Sequence, residues 1–268
     1  MKSISFPIAA LLCGGVGFLL HRWQLATSFD DQGLPLYGLP TMALIVGVVA
    51  LVDFLAVLAL RSRWDKQDLS AVLSQASPTA KIALRLTAIP YLAAALMLVL
   101  HLQNQGYTSS SVLEAANIVL PILLVFCSLL CALCVLFLPD WTGKGLVALT
   151  PAVPCLTACL WLIHSYHSHA NDPVLLHYVW LVLAAMASML AWRYTCSLAF
   201  SKPRSTWALL WSMVTVALCL TAMADPAAGY HLPFLLAQVW WFTWQTWLIA
   251  QRCLPLSKTT SHPLRKFS

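Results

Sequence analysis

Long apolar runs recur eight times along this chain, at roughly Ser5–Leu20, Thr41–Leu60, Ile82–Leu102, Ala115–Leu138, Leu146–His164, Val174–Phe200, Thr206–Met223 and Leu232–Leu254. Most reach the roughly eighteen to twenty residues that an α-helix needs to cross a hydrocarbon core of about 30 Å. The first is the shortest, and the sixth is long enough to require tilt or an exposed end. A water-soluble fold has nowhere to hide so much apolar surface. The chain is 60% hydrophobic and 9% charged, against about 25% charged in an ordinary soluble domain. The expected fold is therefore all-α: an integral membrane bundle of about eight transmembrane helices. One bundle covers residues 1–256, and 257–268 form a basic cytoplasmic tail.

Lys2 before an apolar stretch matches the start of a signal peptide. With seven further spans behind it, the stretch reads as an uncleaved first helix. Lys and Arg then set the orientation, because they mark cytoplasmic loops. Lys2, Arg61, Arg63, Lys66, Lys81, Arg85, Lys144, Arg193, Lys202, Arg204, Arg252, Lys258, Arg265 and Lys266 fall on one side, and of the fifteen basic residues only Arg22 falls on the other. This predicts a bundle with both termini inside. The net charge of +6 then reflects orientation and contact with anionic headgroups of the bilayer. It does not imply a nucleic-acid partner.

The same map puts His21, His101, His164, His167, His169, His177 and His231 at or near the outer face, and only His262 inside. His164, His167, His169 and His177 crowd the turn between spans five and six. Imidazole is the commonest metal ligand, so His101, His164, His177 and His231 form a candidate metal or haem set if their spans are neighbours. The competing reading is a neutral polar turn at the interface, and a cluster that senses pH is a third. No His-Glu-x-x-His occurs. The nine cysteines all lie in spans or at their ends, which argues for packing. Cys131-x-x-Cys134 has redox spacing but no matching second pair.

Asp53 is the one carboxylate well inside a span. An acid at that depth usually faces a bundle interior or a water-filled cavity. Arg85 enters span three from the same side, so an Asp53–Arg85 pair is expected, either as a coupling acid with its counter-charge or as a helix-fixing ion pair. In span eight, Gln238, Trp241 and Gln245 recur at i, i+3 and i+7 and share one helix face. Such a stripe lines a ligand cavity or ties helices together through side-chain hydrogen bonds. Pro90, Pro121, and Pro151 with Pro154 are expected to break spans three, four and five. Asp30-Asp31 reads as a turn. Phe18-Leu19-Leu20-His21 with Trp161-Leu162-Ile163-His164, and Gly106-Tyr107 with Gly229-Tyr230, hint at a four-plus-four repeat over residues 1–140 and 141–256.

No phosphate-binding loop, dinucleotide fingerprint or nucleophile elbow is present. The segment from His21-Arg22-Trp23-Gln24 to Phe29-Asp30, followed by Gly33-Leu34-Pro35 and Gly38, resembles the first outer loop of an uncharacterised family of bacterial polytopic inner-membrane proteins. The resemblance implies the bacterial inner membrane and brings no activity or site residues. Three functional readings follow. The first is a small-molecule permease or membrane subunit of a transport system, with Asp53, Gln238 and Gln245 on a shared cavity. The second is a non-catalytic sensor or scaffold that binds a membrane or cytoplasmic protein partner. The third is a metal- or haem-dependent oxidoreductase using the outer histidines.

Overall fold

A computed structural model of the protein describes residues 2–29, 38–61, 72–73, 76–104, 112–140, 150–169, 178–199 and 204–253. The tail 257–268, His177, Asp30-Asp31 and the basic residues Arg63, Lys66, Lys144 and Lys202 lie outside the described residues.

The fold is all-α among the described residues. Its helices are α1 (Ser5–Thr27), α2 (Leu39–Arg61), α3 (Pro78–Arg85), α4 (Ala88–Asn104), α5 (Val112–Phe137), α6 (Ala152–Ser168), α7 (Val179–Ala199), α8 (Ser205–Ala222) and α9 (Leu232–Cys253). Among the described residues, six stretches are long and apolar enough to cross a membrane: α1, α2, α3 with α4, 118–140 of α5 and its following turn, α7 and α8. The chain is a multi-pass membrane protein. The other two expected spans correspond to α6, which has 17 residues, and α9, which has 22.

Helices α4, α5, α6, α7, α8 and α9 pack in that order, and α9 closes the ring on α4. Outside the ring, α1 lies against α8 and α9, and α2 lies against α1 and α8. This places α8 at the centre. Of its residues 78% are buried, against 22% in the most apolar stretch of α2. A helix apolar all round belongs in an interior, and α8 reads that way from Ala208 to Ala222. Its hydroxyls do not contradict this. Ser212 and Thr221 donate to the carbonyls of Ala208 and Ala217, four residues back, at 2.6 and 2.9 Å. Such back-bonding satisfies a hydroxyl without water.

Glycine sets the approach of α1 to α8. A Cβ at Gly14 would sit 2.6 Å from Leu220 Cδ1 and 3.1 Å from the Ala217 backbone. A Cβ at Gly17 would collide with Thr221. Small residues permit this backbone contact, the usual device where lipid supplies no hydrophobic drive between helices.

The prolines act as expected in one case and differently in two. Before Pro90 the helix does break, at Leu86–Thr87 between α3 and α4. A proline ring clashes with the carbonyl four residues earlier, here that of Leu86. The Thr87 amide accordingly bonds Leu84 at 3.1 Å. The carbonyl of Ala83 instead accepts the indole N–H of Trp240 on α9 at 2.6 Å. A neighbouring helix thus satisfies the interrupted backbone, the condition under which such breaks are tolerated in lipid. Pro121, by contrast, sits inside α5 without ending it. Pro151 is the N-cap of α6 and Pro154 lies in its first turn, where no intrahelical N–H is required. They start the helix rather than interrupt it, and α6 consequently begins later and runs further than the apolar run alone predicts.

Candidate functional site

One face of α9 carries two buried glutamines and a tryptophan into the bundle. Gln238, Trp241 and Gln245 are each at most 4% exposed. Gln238 accepts the indole N–H of Trp192 on α7 at 2.8 Å and donates to Tyr91 Oη on α4 at 3.0 Å. Gln245 accepts the indole N–H of Trp241 at 2.7 Å. Its amide group donates to Thr195 Oγ1 on α7 at 2.8 Å and to Ser212 Oγ on α8 at 3.2 Å. Both amide hydrogens and the carbonyl of Gln245 are therefore engaged inside the bundle. Aromatic rings fill the space between these groups. Trp192 stacks on Trp241 with centroids 5.1 Å apart, and Phe234 lies 5.6 Å from Trp161. The stripe joins α4, α7, α8 and α9, and its polar atoms face neighbouring helices.

A second cluster sits at the end of the ring formed by the end of α4, the end of α6 and the 3₁₀ turn Pro226–His231 that leads into α9. His101 stacks on Tyr230 at 4.0 Å. Tyr230 Oη meets His164 Nε2 at 3.3 Å. The His164 and His231 rings lie 5.6 Å apart. Trp161 donates its indole N–H to His231 Nδ1 at 3.1 Å. An acceptor at Nδ1 fixes the neutral tautomer with its proton on Nε2, and that Nε2 is buried without a hydrogen-bond partner. Burial, reinforced by the imidazoles of His164, His169 and His101, holds the basicity of His231 well below that of an ordinary histidine. Burial likewise raises Tyr230.

Three of the four candidate ligands, His101, His164 and His231, thus gather around Tyr230. His177 lies outside the described residues. No group of three His, Cys, Asp or Glu side chains among the described residues is arranged to hold a metal ion. The eight cysteines from Cys13 to Cys219 are free thiols. Cys131 faces Thr157 Oγ1 at 3.0 Å between α5 and α6, a packing role.

The charges separate. Arg85 pairs with Asp140 on the turn after α5, so the guanidinium expected opposite Asp53 is engaged elsewhere. Asp53 is exposed on the outer side of α2. It does not face the ring interior, because Leu44, Val48, Leu55 and Ala59 form the buried side of that helix.

Reading the sequence for site residues missed Tyr91, Trp161, Trp192, Thr195 and Ser212. The available signal was a tryptophan far from a span end, at 192. An indole N–H in hydrocarbon needs an acceptor. No family model, no curated protein and no solved structure matches the chain.

Proposed function

We propose that the chain is an eight-span protein of the bacterial inner membrane, with both termini cytoplasmic, that serves as a non-conducting membrane subunit. It holds and docks other proteins and passes no solute through its centre. The observation that carries this reading is Gln245, whose two amide hydrogens and carbonyl are all taken up by Trp241, Thr195 and Ser212. A permease that used Gln238 and Gln245 as solute ligands would need those atoms turned toward a cavity. Two apolar grooves lie on the outside of the bundle, one between Ile8 and Trp244 and one between Ile89 and Trp240. Both match acyl chains better than a polar solute. The basic-residue asymmetry of the sequence supports the orientation, and the likeness of the first outer loop supports the compartment.

Backbone hydrogen exchange in lipid nanodiscs tests the reading. Amides of residues 208–222 in α8 are expected among the slowest in the protein. Exchange of that segment within minutes would reveal a water-lined path and return the permease reading to first place.

Among the described residues no three histidines are arranged around one ion, but the nearness of His101, His164 and His231 to Tyr230 favours one second reading, a histidine-ligated metal or haem site in a membrane oxidoreductase. An absorption spectrum and elemental analysis of purified protein, repeated on His164→Ala and His231→Ala, decide it. Stoichiometric metal or a haem band lost in either variant establishes the site. Colourless, metal-free protein removes it.

A further inference from the structure

We propose that the chain pairs with a second copy of itself through the lipid-facing side of α2 and α7, with Asp53 of each copy meeting Arg193 of the other. Asp53 sits in an exposed stripe on α2 made by Val46, Val49, Ala50, Val57 and Leu60. It lies eight residues before Arg61, the end of α2, which is about 12 Å at 1.5 Å per residue. A carboxylate on so short a side chain does not reach the headgroups from there. Among the described residues no cation or hydrogen-bond donor meets it, and Arg85 pairs with Asp140 instead. A charge left facing hydrocarbon is costly, and such residues pair or turn inward.

The complementary charge is on the same molecule. Arg193 is exposed on α7, six residues before Ala199 at the helix end, or about 9 Å. It lies over the ring of its neighbour Tyr194 at 5.7 Å and near Cys155 at the start of α6. Both helices pack on α8. Arg61 and Arg193 belong to ends of α2 and α7 that point the same way, because each helix runs from the histidine end of the bundle to the basic end.

These facts select a second copy as the occupant. A two-fold axis along the membrane normal keeps every residue at its own depth, so it pairs Asp53 with Arg193 only if their depths agree. With the ends of α2 and α7 level, they agree within about 3 Å by the rise per residue. The same axis makes the contact twice, as a self-complementary interface requires. One polar position in an apolar stripe then fixes register, while Val46, Val57 and Leu60 supply contact area. Arg193 alone has another outlet, because a long basic side chain snorkels to the headgroups. Asp53 has none, and it decides the case. This inference stands apart from the docking reading, since a conducting protein would pair by the same charges.

The test uses the full chain, co-expressed with two different tags and reconstituted in lipid nanodiscs large enough for two copies. Wild-type copies are expected to co-purify. Asp53→Asn and Arg193→Gln are each expected to reduce pairing at least tenfold while the helical fold of the single copy, in which both sites are exposed, is kept. The double variant is expected to pair no worse than either single one. A chain carrying both Asp53→Arg and Arg193→Asp is expected to recover pairing. Failure of wild-type copies to co-purify overturns the proposal. So do single variants that pair like wild type, or losses that add in the double variant.

Discussion

Trp192 on α7 and Gln238 on α9 are joined by an indole N–H donated to an amide oxygen at 2.8 Å, in a part of the bundle where both residues are at most 2% exposed. The bond matters because of what surrounds it. Neither partner has water to fall back on, and the Gln238 amide passes the connection to Tyr91. Removing the middle member leaves two groups unpaired.

Gln238→Ala is therefore expected to destabilise the protein by about 1–3 kcal/mol, the cost of orphaning buried polar groups. In a double-mutant cycle with Trp192→Phe the coupling should be about 0.6–1.7 kcal/mol, the range of hydrogen bonds between membrane helices. Equilibrium unfolding in mixed micelles measures both. Zero coupling would mean the bond contributes nothing net.

Trp240 is predicted to matter only because Pro90 exists. Trp240→Phe keeps the ring and deletes the donor to the Ala83 carbonyl, so about 1 kcal/mol of stability is expected to be lost. In a Pro90→Ala background the Thr87 amide is free to return to Ala83. There the same substitution should cost much less. Equal losses in the two backgrounds would show that the break is not the reason for the bond.

Gly14 and Gly17 are read as contact residues. Gly14→Val adds atoms where even a Cβ meets Leu220 and the Ala217 backbone. A loss of about 1–3 kcal/mol is expected, as in other overpacked interiors. Gly15 has open space around a Cβ, and Gly15→Val should be near neutral. The comparison separates crowding from a general intolerance of α1.

His231 gives the fold a pH dependence with a defined sign. Its native basicity is held well below the ordinary range by burial, so between that low native value and the unfolded value of about 6.5 only the unfolded chain binds the proton. Stability is therefore fully present above about pH 6.5 and falls as pH drops below it. His231→Phe should remove about one proton from the slope, or about 1.4 kcal/mol per pH unit. Melting series from pH 7.5 to 5 check this. An unchanged slope would mean His231 is protonated in the native state.

Much of this fold was legible from apolar run length alone. The run at 206–223 became α8 and the run at 232–254 became α9 within a residue or two, because run length and helix length obey the same hydrocarbon constraint. Proline effects were less legible. Pro121 and Pro154 look alike in sequence, yet one lies inside a helix and the other in a first turn, and position within the turn decides the outcome. The polar stripe of α9 was visible by its spacing. Its partners on α4, α7 and α8 were not, because periodicity reports which face of a helix is special and says nothing about what lies opposite. Asp53 departs from expectation for the same reason. An acid in a span was expected to face inward, while the packing side of α2 belongs to Leu44, Leu55 and Ala59.

In a non-conducting subunit the ring interior is closed to water from both sides. Cys131 reports on it directly, being fully buried between α5 and α6. In a chain whose other eight cysteines are replaced by alanine, a charged, membrane-impermeant thiol reagent should leave Cys131 unmodified. This should hold when it is applied to either face of sealed membranes, with full labelling only after denaturation. Labelling of Cys131 from one face in intact membranes would contradict the account and show that an aqueous path enters the bundle.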